Sequence, residues 1–222
     1  MNTLKSKTYL ILGIGTDVGK TFLVENLCKI LLDQKLSASA IKPIISGFEA
    51  DDLNSDSAKI LISLKEEITQ SNIGLISPWQ FMEAVSPHIA AENIGKEIDF
   101  LEVVNFCQKK ITEANNKNSF LFIEAAGGVM TPISHNKTFL DLAFELKIPT
   151  LLVSKNYLGS ISHTLCAVEA LINKKIIVEK IIINENALPQ EKSSGIAISQ
   201  MIKTVENLSK IPTLSLKNFL KK

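Results

Sequence analysis

A glycine-bearing stretch, Gly13-Ile14-Gly15-Thr16-Asp17-Val18-Gly19-Lys20-Thr21, joins an apolar run to a helical pattern and thereby constrains the fold more than any other segment. Before it, Tyr9-Leu10-Ile11-Leu12 reads as a buried strand. After it, Phe22, Leu23, Leu27, Ile30 and Leu31 recur at helical spacing. A strand, a small-residue turn and a helix opening on Gly-Lys-Thr make a phosphate-binding loop. Backbone N–H groups converge on the anion, the lysine reaches the terminal phosphates and the threonine hydroxyl ligates an accompanying Mg²⁺. The chain is therefore expected to bind a nucleoside triphosphate. The usual pattern has a glycine five positions before Gly19, where this chain has Ile14, so the loop is one residue longer between its glycines.

A strand leading into such a loop starts a βαβ unit, and the remaining chain continues the alternation. Ala38-Ser39-Ala40-Ile41 reads as a second strand that ends at Lys42-Pro43, because proline lacks the ladder N–H. A helix is expected to begin near Asp56, capped by Asn54 or Ser55, with Ala58, Leu61 and Ile62 as its apolar positions. Residues 72–88 contain Pro78, Trp79, Phe81 and Pro87 without sustained periodicity and read as a long aromatic loop. Helical spacing returns at Phe100, Val103, Val104, Cys107 and Ile111. A strong strand, Phe120-Leu121-Phe122-Ile123, then ends at Glu124 and enters Ala125-Ala126-Gly127-Gly128, a compact second loop at the same edge. Further helices are expected near 138–147, after Gly159 and over 191–208, with strands at Thr150-Leu151-Leu152-Val153 and Lys180-Ile181-Ile182-Ile183, the latter ending in Asn184. The expected fold is α/β, a doubly wound and mainly parallel sheet flanked by helices, in a single domain over 1–222.

Composition excludes other classes. The formal net charge is +1 over 222 residues, which gives no electrostatic case for nucleic acid or an anionic membrane. No apolar run approaches the roughly 18 residues of a membrane span, and the short N-terminal run enters the phosphate loop instead of a cleavage site. A cytoplasmic location is expected. Cys28, Cys107 and Cys166 lack metal-ligand spacing and read as incidental thiols. The chain has no arginine, so lysine or Mg²⁺ must neutralise any transferring phosphoryl group.

Thr21, Asp56 and Glu124 all fall at crevice positions and offer hard oxygen ligands for Mg²⁺, with Lys20 and Lys42 adding charge beside them. Taken singly, Asp56 also reads as a helix-start carboxylate and Lys42 as a surface charge; their combination favours a site. The ordered set Thr16-Asp17-Val18-Gly19-Lys20-Thr21, Lys42-Pro43-Ile44-Ile45-Ser46-Gly47, Asn54-Ser55-Asp56, Ser86-Pro87-His88, Glu124-Ala125-Ala126-Gly127-Gly128 with Thr131-Pro132, Leu158-Gly159-Ser160-Ile161-Ser162-His163, and Asn184 closely resembles the dethiobiotin synthetase family over nearly the whole chain. The longer phosphate loop is a feature of that family.

The resemblance implies a P-loop NTPase-like fold and ATP-dependent closure of a ureido ring in biotin synthesis, from diaminopelargonate and CO₂ or bicarbonate, with Mg²⁺. It implies that Lys42 and Lys20 are catalytic. ATP would be bound by Asp17, Val18, Gly19, Lys20, Thr21, Phe22, Asp56, Glu124, Ala125, Ala126 and Gly127, with Asn184, Glu185 and Pro212 near the base. Thr16 and Ser46 would hold the diamine or carbamate. Gly159, Ser160, Ile161 and Ser162 would bind the substrate carboxylate of a neighbouring subunit, which implies a homodimer. Two other readings stay open: a related amidoligase or small-molecule kinase of cofactor synthesis, and a partitioning-type ATPase. The last carries an additional lysine early in the loop, where Ile14, Gly15 and Thr16 supply none.

Overall fold

The computed structural model describes residues 4–49, 52–185 and 196–221. In chain order these form β1 (Thr8–Gly13), α1 (Lys20–Asp33), β2 (Ala38–Ile41), β3 (Ile44–Ser46), α2 (Asp56–Ser63), α3 (Gln70–Ile76) and β4 (Trp79–Phe81). There follow α4 (Pro87–Glu92), α5 (Phe100–Asn116), β5 (Phe120–Glu124), β6 (Pro132–Ser134), β7 (Lys137–Thr138) and α6 (Phe139–Leu146). The described chain closes with β8 (Thr150–Lys155), α7 (Ser160–Asn173), β9 (Val178–Asn184), α8 (Ile198–Ser209), β10 (Thr213–Ser215) and α9 (Leu216–Leu220).

The central sheet has the order β10-β9-β8-β1-β5-β2, and every neighbouring pair is parallel. β1 lies in the middle because Thr8 to Gly13 is buried throughout, and only a doubly covered strand tolerates a continuous apolar run. From β1 the chain builds β2 and β5 on one side, then crosses to lay down β8, β9 and β10 on the other. Such a reversal opens a crevice at the carboxyl ends of the strands. Register carries chemistry to that edge: Ile11 pairs with Glu124, Gly13 with Val153, and Lys155 with Asn184.

The 72–88 segment departs from its expected form as one long loop. Ile73 and Ile76 bury one side of α3, which Thr69 caps by accepting from Asn72 N at 3.1 Å. β4 pairs with β3, and Trp79 meets Phe106 of α5 edge-on at 5.8 Å. Pro87 occupies the first turn of α4 behind Ser86. Phe22, expected on the buried face of α1, is 48 % exposed; Val24 and Cys28 complete that face instead. The expected helix over 191–208 is seen from Ile198 to Ser209, while 191–195 lie outside the described residues. Among the described residues no helix is long and apolar enough to cross a membrane.

The start of α6 shows how local chemistry sets a boundary. Thr138 Oγ1 accepts from Asp141 N at 3.4 Å, while Asp141 Oδ2 accepts from the Thr138 backbone N–H and hydroxyl, each at 2.9 Å. This reciprocal cap satisfies N–H groups that the first turn leaves orphaned. Burial opposes the Asp141 charge, but the Thr138 bonds and Lys174, 3.0 Å away, outweigh it and hold the carboxyl below its ordinary range. Asp141→Ala is therefore expected to cost about 1 kcal/mol of stability near neutral pH. Because the folded-state pKa is depressed, this contribution is present above the unfolded pKa of about 3.9 and lost as pH falls through the folded value. Urea unfolding of both proteins at pH 7 and at progressively lower pH checks this: their stabilities should converge in acid.

Candidate functional site

The loop leaving β1 is held from three sides. Ile14 N donates to Val153 O and Val129 N to Gly13 O, both at 3.0 Å, so β8 and the loop after β5 fix its start. Lys20 Nζ donates to Gly15 O at 2.8 Å and closes the loop on itself. Asn184, at the end of β9, donates to Val18 O at 3.1 Å. Gly19 lies at φ +103°, and an added Cβ would sit 2.5 Å from Asn184 Nδ2, so only glycine fits between loop and strand. Gly128 is equally constrained: its Cβ would meet Ile14 O at 3.0 Å, which shows how closely the second loop approaches the first.

Charge gathers where β1, β2 and β5 end. Lys42, immediately after β2, forms an ion pair with Asp56 at the start of α2 and another of 2.8 Å with Glu124 Oε1 at the end of β5. Thr21 Oγ1 donates to that same Glu124 oxygen at 2.6 Å. Glu124 is 1 % exposed, and among the described residues its Oε2 has no hydrogen-bond partner. Burial works against the Lys42 ammonium, but the charges of Glu124 and Asp56 and their hydrogen bonds prevail and raise its pKa above the ordinary lysine value. Asp56 shows the mirror effect: burial opposes its charge, and Lys42 outweighs that and lowers its pKa. Lys20 is pushed down to about 8, first by burial and then by the neighbouring Lys42 charge.

These groups line a cleft of about 680 Å³. It brings together Thr16, Asp17, Gly19, Lys20, Thr21 and Phe22 of the loop and α1, Lys42, Ser46 and Asp56 from the next segment, and Glu124, Ala126 and Gly127 from β5 onward. Ser46 Oγ is buried and has no hydrogen-bond partner among the described residues. Val18 and Ala125 are buried behind the wall; Ala125 N continues the sheet ladder to Ile11 O at 3.0 Å. Asn184 stands behind Gly19, and neither it nor Glu185 nor the exposed Pro212 lines the cleft. Gly159, Ser160, Ile161 and Ser162 are also outside the lining of this chain's own cleft. Gly159 caps α7 at φ +95°, Ser160 is buried with its hydroxyl accepting from Tyr157 N at 3.3 Å, Ile161 is half-buried and Ser162 is exposed.

Sequence reasoning missed Lys59, Ala84 and Val85, which line the cleft beside Ser86, Pro87 and Thr131. Lys59 had a signal, since it follows Asp56 by three positions on a helix and so shares its face. Ala84 and Val85 had none, because an irregular segment has no period to read.

A parallel sheet whose central strand feeds a tight loop, a lysine and a threonine onto a helix N-terminus defines a P-loop nucleotide-binding α/β protein. Residues 7–217 match the AAA domain family. Solved structures share the fold at low identity: a chain of the MinC:MinD cell division protein complex of Aquifex aeolicus has a TM-score of 0.54 at 13 % identity, covering 94 % of this chain and 79 % of that one. Chloroplast FtsY of Physcomitrella patens gives 0.52 at 11 %, covering 100 % and 69 %. Much nearer in sequence is the ATP-dependent dethiobiotin synthetase BioD of Francisella tularensis subsp. holarctica, 36 % identical over 204 residues, which are 91 % of this chain and 88 % of the relative. The protein of that name from Phenylobacterium zucineum is 36 % identical over 185 residues, covering 82 % and 77 %. The chain belongs to the ATP-dependent dethiobiotin synthetase family.

The glycine constraint is directly testable. Gly19→Ala is expected to cost about 1–3 kcal/mol through its left-handed backbone and the Asn184 contact. At roughly 2–4 °C per kcal/mol for a chain of this size, thermal unfolding should show a Tm lower by several degrees. Gly15→Ala, whose Cβ meets nothing within 4 Å, is expected to leave Tm unchanged.

Proposed function

We propose that this chain is an ATP-dependent dethiobiotin synthetase, a ligase of biotin biosynthesis that closes the ureido ring of dethiobiotin on diaminopelargonate and CO₂. The observation that carries the reading is the convergence of Lys20, Thr21, Lys42, Asp56 and Glu124 on one cleft, in a chain 36 % identical to relatives of that name.

The proposed chemistry runs in three steps. One amine of the substrate adds to CO₂ and loses a proton, giving a carbamate. A carbamate oxygen attacks the γ-phosphorus of ATP, and ADP leaves. The second amine attacks the carbonyl carbon of the mixed anhydride, the C–O bond breaks as phosphate departs with its electron pair, and the new ring nitrogen gives up a proton to the phosphate or to water. Lys20, at the base of the cleft, would neutralise the transferring phosphoryl group, and backbone N–H groups at the start of α1 would cradle the phosphates. Lys42 would pair with the carbamate oxygens, with Thr16 and the unpartnered Ser46 hydroxyl as hydrogen-bonding groups for the diamine or carbamate.

The residues present fit Mg²⁺. Thr21, Asp56 and Glu124 are hard oxygen donors at one place, and the orphaned Glu124 Oε2 is a buried acceptor that calls for a cation. When bound, Mg²⁺ supplies charge neutralisation across the phosphates. We further propose a homodimer in which Gly159 to Ser162 of the neighbouring subunit receive the substrate carboxylate at the start of α7. Support comes from their place outside the lining of the chain's own cleft, at a helix start whose dipole favours an anion.

Two experiments test this reading. Dethiobiotin should be detected by mass from protein, ATP, Mg²⁺, bicarbonate and diaminopelargonate, and should disappear when any one is omitted. ATP hydrolysis without the diamine and without product would favour a switch ATPase. Lys42→Ala is expected to reduce product formation by about 100-fold or more while ATP affinity stays near that of the parent; unchanged turnover would remove Lys42 from the chemistry.

Lys20 adds a proton-linkage expectation. Its pKa near 8 in the free protein means that about half the population is uncharged at that pH. Bound phosphates favour the ammonium and raise the pKa, so ATP binding at pH 8.5–9 should take up a proton. Calorimetry in buffers of different ionisation enthalpy measures this, and the uptake should vanish in Lys20→Met.

A further inference from the structure

The ligand set assigned to the metal is already engaged by a side chain of the protein itself. Lys42 Nζ contacts Asp56 and lies 2.8 Å from Glu124 Oε1, the same oxygen that accepts from Thr21. Lys42 is 5 % exposed and Glu124 1 %, so little water competes for their contact, while the Asp56 side chain keeps partial access to solvent. A buried carboxylate, Glu124, and a partly exposed one, Asp56, share a single cation, and the ammonium supplies it. A divalent ion drawn to Glu124 Oε2, which has no partner among the described residues, would set its charge beside the ammonium on Oε1, and two cations that close on one carboxylate repel. The backbone of Lys42 cannot retreat: its N–H is fixed to Ile76 O at 3.1 Å and Pro43 follows. Only the side chain can leave, into the cleft it already lines.

We propose that Lys42 is an internal counter-ion that occupies the metal's carboxylates in the free protein, so that metal entry displaces its ammonium and only then frees it to meet the substrate. The inference rests on the metal and carbamate roles proposed above and adds an order to them. Arrival of the metal with its nucleotide arms the lysine, and the carbamate is held after that event. It also gives Lys42 two successive partners of like charge, carboxylate and then carbamate, so that its positive charge is compensated at each stage.

The test is Mn²⁺ binding to the nucleotide-free, full-length protein, followed by electron paramagnetic resonance. Lys42→Met keeps the length of the side chain and removes the competing charge, so Mn²⁺ should bind about tenfold more tightly than to the parent. Glu124→Gln should weaken binding in both backgrounds. Equal or weaker Mn²⁺ binding in Lys42→Met, with the Glu124→Gln effect intact, would overturn the counter-ion role and leave the metal site standing. No effect of Glu124→Gln in either background would overturn the metal site itself. A second measurement needs no altered core. In the parent protein carrying ¹⁵N-lysine, the Lys42 ammonium, assigned by its absence in Lys42→Arg, should exchange slowly with water. Saturation with Mg²⁺ and a nonhydrolysable ATP analogue should move it into fast exchange, and a signal that persists unmoved would contradict displacement.

Discussion

A carboxylate at the end of the most enclosed part of the sheet has to be neutralised, and the arrangement of the cleft follows from how this is done. Glu124 is the last residue of the otherwise apolar β5, with almost no access to water. Lys42 comes from the neighbouring strand, Thr21 from the helix after the phosphate loop, and Asp56 from the next helix start. Four segments distant in sequence are thus tied at one charged point. Breaking a buried pair by removing one partner is strongly unfavourable, whereas exchanging one cation for another is not. That asymmetry makes the cluster both a fastening and a candidate exchange site for metal.

The sheet makes the fastening possible. Parallel pairing on both sides of β1 places all the strand ends at one edge, and the change of direction after β5 leaves a space above β1. The loop that fills it is rigid for identifiable reasons: the left-handed Gly19 under Asn184, the close approach of Gly128, and the bond from Lys20 to Gly15 O. The backbone N–H groups of that loop are thereby held in place, so less of the cost of ordering them would fall on a bound phosphate.

How much of this was legible in the sequence depended on whether a segment carried a period. Long elements with one buried face, such as α5 and α6, and the continuous runs of β1, β5 and β8 were placed to within a few residues. β3 and β4, each three residues long, pair only with one another and have no alternation to detect. β10 and α9 were missed for the same reason. The site was legible at positions where residue type and strand end coincided, as at Lys20, Thr21, Lys42, Asp56 and Glu124. The direct bond from Lys42 to both carboxylates was not, because a sequence shows which charges reach an edge but not which of them pair. Ala84 and Val85 became part of the cleft through the packing of a connecting segment.

In the proposed reaction a carbamate oxygen attacks ATP inside this cleft and leaves with the phosphate. The most direct measurement supplies ¹⁸O-labelled CO₂ to the protein with ATP, Mg²⁺ and diaminopelargonate, and reads the mass of the released phosphate before the label exchanges with water. One ¹⁸O per phosphate, formed in step with dethiobiotin, is the predicted result. Unlabelled phosphate accompanying labelled or absent product would show that ATP is cleaved by water and would contradict the account.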